Sequence, residues 1–257
     1  MSKRKVPADT SESSRKSARG TFDNKNQERR EVATGSSGNR PVQRGGGSGR
    51  GSYDKAVVQI LLACGTVDSK TFEGLLARIK GDFDDAHVDS PLEDTFKRIN
   101  NSIRKFSLEV RSVRLKNDEG VWVIYYGLVN NEDDFVAKQN GMLGTFDEAE
   151  LRFFSTKLLP KIVSSRYLTT GEVSELVSKN GGLTKSKVHD LLNRLRSSLW
   201  LSSSDRGFWE LGPRTYLELR SNVEGIMQNG LDDSLSQEER QAQLTELKET
   251  LPQVIYF

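Results

Sequence analysis

From Tyr53 onward the apolar residues recur in two rhythms, one of about 3.6 residues and one of two. "YDKAVVQILLACG" reads as an amphipathic helix stopped at Gly65. "DSKTFEGLLARIKG" reads as a second, with Asp68 as its cap. "SPLEDTFKRINNSIRKF" reads as a third. Ser90, Pro91 and Glu93 stand where a cap, a first-turn proline and a capping box belong. Phe96, Ile99, Ile103 and Phe106 form its apolar face. The rhythm then changes: "LEVRSVRLK", the turn "NDEG" and "VWVIYYGLV" predict a β-hairpin. Three helices followed by a two-stranded wing are the order of a winged helix, a helix-turn-helix variant.

The same order returns further on. "TFDEAELRFFSTKLLPKIVSS" opens on a Thr145–Glu148 capping box and "TTGEVSELVSKNGG" on a Thr169–Glu172 box. "LTKSKVHDLLNRLRSSL" follows, capped by Thr184. "WLSS", "SDRG" and "FWEL" make a second, shorter wing, and Pro213 starts one further helix. The fold class is therefore α+β, mostly helical, with tandem winged-helix domains at 53–135 and 145–228. The repeat is one of architecture, not of residue identity. Residues 229–257 read more weakly. They hold a short helix with a Ser236–Glu239 capping box, then the apolar end "LPQVIYF", whose side chains need something to pack against.

Residues 1–52 lack apolar periodicity. They carry twelve Lys/Arg against five Asp/Glu and are rich in Ser and Gly. Such a segment cannot bury enough surface to offset its ordering entropy, so it reads as a disordered basic tail. The net charge of +2 hides this asymmetry. A basic tail on a mildly acidic body suits a protein near nucleic acid, and suits a plain tether equally well. "RGGGSGRGS" is a weak RNA- or DNA-contact segment. The triplet Lys3-Arg4-Lys5 fits a nuclear address. The N-terminus has no apolar run of the secretory kind and no stretch reaches bilayer length, so no membrane association is expected.

The residues offer no catalytic set. Cys64 is the only cysteine, and with His87 and His189 it falls short of the four ligands of a structural zinc site. No cofactor is expected in this chain. Cys64 lies on an apolar helical face and reads as a core thiol. His87 sits in an acidic loop that reads as solvated.

Nucleic-acid contact turns on the third helix of each winged helix. In the second domain Val188, Leu191, Leu192 and Leu195 form the apolar stripe, and Asp190 holds the centre of the opposite face. That placement disfavours base readout. Lys185, Lys187, Arg194 and Arg196 on the flanks and Arg206 in the wing remain candidates for backbone contact. In the first domain the candidates are Lys97, Arg104, Arg111 and Arg114.

The strand 121–129 is apolar on both faces, whereas a solvated wing should alternate. Val121, Val123 and Tyr125 lie on one face and Trp122, Ile124 and Tyr126 on the other. The domain's own helices cover one face. Either the second winged helix or a partner covers the other. The strand is thus the candidate partner-binding element, with Trp122 and Tyr126 as its anchors.

At this point the residues resemble a family. "ILLACGTVDSKTFEGLLARI", the run from Leu92 to Asp134, "FDEAELRFFSTKLLPKIV" and "GFWELGPRTYLELRSNV" together resemble the non-SMC element 1 subunit of the SMC five–six complex. The resemblance covers about 53–228 and rests on order and spacing rather than on one motif. It implies a nuclear subunit for chromosome maintenance and DNA repair. The implied partners are a melanoma-antigen-type winged-helix subunit and a kleisin, with double-stranded DNA within the assembly. The family normally ends in a variant RING that binds two zincs and supports ubiquitin-ligase activity. Here the chain stops where the first Cys-x-x-Cys is expected, so no zinc ligand carries over, and the apolar end suits truncation. The reading is an interaction subunit. A ubiquitin ligase lacking its RING in this chain and a stand-alone DNA-binding regulator are the alternatives.

Overall fold

The computed structural model describes residues 52–83, 87–117, 119–132, 145–178, 183–204, 207–232 and 234–257. The basic tail and Arg206 lie outside them. The first unit begins with α1 (Ser52–Cys64), β1 (Thr66–Asp68), α2 (Ser69–Lys80) and α3 (Leu92–Ile103). The wing strands β2 (Leu108–Lys116) and β3 (Trp122–Asn130) pair antiparallel, with Ser112 opposite Tyr126 and Lys116 opposite Trp122. Its core joins Tyr53, Val57 and Leu61 of α1 to Phe72 and Leu76 of α2 and Phe96 and Ile99 of α3. Val110 and Tyr126 close it from the sheet. Asp68 caps α2, accepting from the Thr71 amide at 2.9 Å.

Three local expectations give way here. Burial in α1 follows the row Tyr53, Val57 and Leu61, one turn apart. Cys64 ends the helix, where the chain turns off through Gly65 at φ 69°, and its thiol is exposed rather than in the core. Helix α3 starts one residue later than its signals suggested. Pro91 is the cap residue, and its carbonyl takes the Asp94 and Thr95 amides, both at 3.1 Å. No side chain caps that end.

The second unit opens with α4 (Glu148–Phe153), which runs through a π-helical turn (Phe154–Leu158) into α5 (Leu159–Ser165). Its capping box is Asp147–Glu150, not Thr145–Glu148. The shift puts Phe146 just before the cap and Leu151 just after the box, and both enter the core, the arrangement of a hydrophobic staple. There follow β4 (Leu168–Thr169), α6 (Thr170–Ser178), α7 (Lys185–Ser197), β5 (Leu201–Ser203) and β6 (Phe208–Leu211). The small sheet has the order β4-β6-β5. The Thr169–Glu172 box is present, and Thr184 caps α7. The α7 stripe of Val188, Leu191, Leu192 and Leu195 is buried, with Asp190 exposed opposite. The single helix expected after Pro213 is divided at Leu219 into α8 (Pro213–Glu218) and α9 (Arg220–Asn229).

Two features join the units. The outer face of the first sheet is covered from within the chain. Leu217 of α8 packs with Val113 and Val129, and Leu115, Tyr125, Tyr216 and Val254 surround them. Gly127 makes this possible, because a Cβ there would meet the Leu217 Cδ1 at 3.0 Å and the Thr66 Oγ1 at 3.3 Å. The second feature is the chain's end. After α10 (Gln237–Glu249), β7 (Val254–Tyr256) returns to the first unit and pairs antiparallel with β2. The sheet order becomes β1-β3-β2-β7. Val254 and Phe257 of the apolar end therefore pack within the chain, the Phe257 ring 4.9 Å from that of Phe96, while Ile255 and Tyr256 stay largely exposed.

Tyr216 sits where the second core meets this junction. Burial pushes its phenol up to about 12, with Glu210 adding to the shift and Arg220 opposing it. The folded state thus keeps a proton that the unfolded chain releases above its ordinary value near 10.0. Unfolding becomes favoured as pH rises between those values, at about 1.4 kcal/mol per pH step and up to about 3 kcal/mol in all. Urea unfolding followed upward in pH should show this alkaline loss, and Tyr216→Phe should flatten it. An equal slope in the variant would place the titration elsewhere.

Candidate functional site

The first wing carries the site. On its helix-facing side Tyr126 is 8% exposed and lies within 5.3 Å of the Phe72 ring and 5.2 Å of the Phe96 ring. Burial raises its phenol pKa, with the Glu73 and Glu93 charges adding to the effect. Ile124 packs against the same core. Tyr126 and Ile124 are therefore core residues, not partner anchors, because three helices cover the middle of β3. On the opposite face Tyr125 packs into the Leu217 cluster and Val123 is half-buried. The second unit, not a partner, covers that side.

The tip of the wing outruns both covers. Val121 is 55% exposed and Trp122 56%. Lys116 lies directly across from Trp122 and Arg114 one diagonal away, so both cations reach the indole, at 5.3 Å and 5.2 Å from its centroid. On the other side of the tip, Asn117 and Glu119 share a cleft with Arg196, Leu199 and Ser202 of the second unit. The tip thus leans on the second unit by one side and offers an aromatic ring between two cations on the other.

The candidate nucleic-acid residues divide by their carboxylate partners. Arg111 is drawn inward. It donates to Glu109 at 2.9 Å and to the Leu217 carbonyl at 3.5 Å, also bonds Asn131, and stacks on Tyr256 at 4.7 Å. Arg194 pairs with buried Glu150, donates to the Thr145 carbonyl at 2.7 Å and lies over Phe146. A buried carboxylate holds each guanidinium, with Arg111 largely enclosed and the Arg194 side chain still 40% exposed. Arg104 reaches Glu109 at 3.4 Å and the Phe257 backbone oxygen at 3.3 Å from a half-exposed position. Lys97 pairs with Asp94 at 3.6 Å on the surface. Lys185, Lys187 and Arg196 are exposed on α7. These residues do not form one patch with Trp122; only Arg114 joins it, together with Lys116. That cation–aromatic pairing was visible as an exposed-face spacing across the hairpin register.

Among the described residues no group of three or more His, Cys, Asp and Glu side chains is placed to hold a metal ion. No helix among them is long and apolar enough to cross a membrane. The wing tip is an exposed aromatic and cationic surface on a two-unit scaffold. The family model described as the Nse1 non-SMC component of the SMC5-6 complex matches residues 54–179 and 157–219. This chain belongs to the Nse1 family. It is a subunit of the SMC5-6 complex, an assembly of chromosome maintenance and DNA repair. No curated protein matches the chain. Among solved structures it is similar to a chain of the Nse1-Nse3-Nse4 complex, with a TM-score of 0.56 at 19% identity, over 69% of this chain and 75% of that one. At that identity the likeness shows the fold.

Proposed function

We propose that this chain serves in the nucleus as a docking subunit, binding the Nse3-type and Nse4-type subunits that accompany the related chain. Those partners correspond to the melanoma-antigen-type winged-helix subunit and the kleisin expected from the sequence. The observation that carries the reading is the tip of the first wing. It presents exposed Trp122 and Val121 flanked by Arg114 and Lys116, on a strand whose Ile124, Tyr125, Tyr126, Leu128 and Val129 are packed within the chain. Tryptophan and arginine are the residue types that most often dominate interface energetics.

Trp122→Ala tests it. The side chain projects beyond both cores, so the variant should melt close to the parent. Its affinity for the Nse3-type subunit should fall by about 2 kcal/mol or more, roughly thirtyfold. Pull-down and titration calorimetry with the Nse3-type and Nse4-type subunits read the effect. Parent-like affinity for both partners would remove the wing tip from the interface.

A further inference from the structure

The groove between β2 and α3 holds the chain's own C-terminal residues, and it is built for them. One row at one-turn spacing, Phe96 and Asn100 on α3 and Arg104 just beyond its end, grips Phe257. The Phe96 ring meets its ring at a tilt of 52°, centroids 4.9 Å apart, and Asn100 Nδ2 and Arg104 Nη2 donate to its backbone oxygen at 3.2 Å and 3.3 Å. Asn100 is fully buried, and the same amide clamps Val110 of β2, accepting from its N–H at 2.7 Å and donating to its carbonyl at 3.0 Å. The edge of β2 supplies the backbone partners of Val254, Ile255 and Tyr256. At the other end Val254 enters the Leu217 cluster, and Arg220 donates to the Pro252 carbonyl at 2.7 Å.

The occupant is held more lightly than the groove is made. Only three residues pair with β2, whereas β2 and β3 pair over nine. Ile255 is 40% exposed and Tyr256 55%. Upstream, α10 buries Leu244 alone among its residues. The aromatic receptor, the two side-chain donors and an open strand edge all remain when the segment leaves.

We propose that this groove is a strand-acceptor site, closed in this state by residues 253–257, and that an extended segment of another protein chain can take the place of β7. The chemistry it selects follows from the contacts. It takes a segment that adds to the β2 edge through its backbone, with a β-branched residue where Val254 lies and an aromatic residue three positions later. Of the two positions between, that of Ile255 is partly open to solvent, and that of Tyr256 lies under the Arg111 guanidinium, which suits a second aromatic ring. The device is an autoinhibitory contact in which the chain's own strand competes with the incoming one.

The test uses the full 257-residue chain and a fluorescein-labelled peptide of residues 252–257. Ile255→Pro with Phe257→Ala in the chain weakens the resident strand and leaves the groove intact. That variant should bind the peptide at least tenfold more tightly than the parent, as read by fluorescence anisotropy. A peptide carrying Phe257→Ala should lose the binding. In the parent chain, the amides of 254–257 should exchange with solvent at least a hundredfold faster than those of β3. A folded variant that takes up the peptide no better than the parent overturns the proposal. So does a variant that fails to fold, or protection of 254–257 equal to that of β3, since either makes the segment ordinary core.

Discussion

Leu217→Ala should destabilise the protein by about 3 kcal/mol, within the range of large-to-small changes at buried leucines. Leu217 is 0% exposed, although its helix belongs to the second unit and its neighbours Val113 and Val129 belong to the first. The lost side chain would leave a void walled by two β-strands, and strands tied into a four-stranded sheet cannot collapse to fill it. Gly127→Val should be at least as harmful from the opposite side. Its Cβ would stand 3.0 Å from the Leu217 Cδ1 and its branches nearer still, so α8 would have to lift off the sheet. Both changes act on the contact between units and leave each unit's own core untouched. Their melts should therefore lose cooperativity, with the two units unfolding in separate steps where the parent shows one. Thermal unfolding followed by near-ultraviolet dichroism checks this. A cost below about 1 kcal/mol for Leu217→Ala, with a single sharp transition, would mean that the contact is not what holds the units together.

Asn100→Ala should cost about 3 kcal/mol, through hydrogen bonds rather than volume. The amide is fully buried and serves the Val110 N–H, the Val110 carbonyl and the Phe257 oxygen. Removing it strands two backbone groups of β2 beside Phe96 and Ile99, where water does not reach to replace it. Asn100→Leu restores volume but not the bonds, so it should be nearly as damaging. Asn100→Ala in a chain already carrying Phe257→Ala should cost less than in the parent, because the third bond is then already weakened. Urea unfolding of the four chains gives the cycle. Strict additivity would show that Asn100 and Phe257 act independently.

Much of this was legible along the chain. The helices from Ser52 to Ile103 and from Lys185 to Ser197, and both wings, follow from apolar spacing and turn residues. Asp68, Thr184 and Ser236 sit where cap preferences put them. The exposed face of α7, with Asp190 at its centre, also follows from angular spacing alone. The misses are local competitions that tertiary contacts decided. Asp147 displaced Thr145 as the cap because that choice carries Phe146 and Leu151 into the core. Cys64 shares the angular position of buried residues, yet it ends its helix and stays outside.

The site was harder, for a reason visible in β3. Sequence alone established that the strand 121–129 is apolar on both sides and so must be covered twice. It could not say by what, because periodicity records which way side chains alternate and not what lies opposite. The tertiary structure decided that three helices take Tyr126 and Ile124, that α8 takes the far side through Leu217, and that only the tip is left over. Arg111 and Arg194 were indistinguishable from Lys185 as surface cations until the fold set buried Glu109 and Glu150 beside them. The return of β7 to β2 joins residues more than a hundred positions apart. Local propensity has no term for such a pairing; it exists because an open strand edge, an aromatic pocket and a buried amide are brought together only by the completed fold.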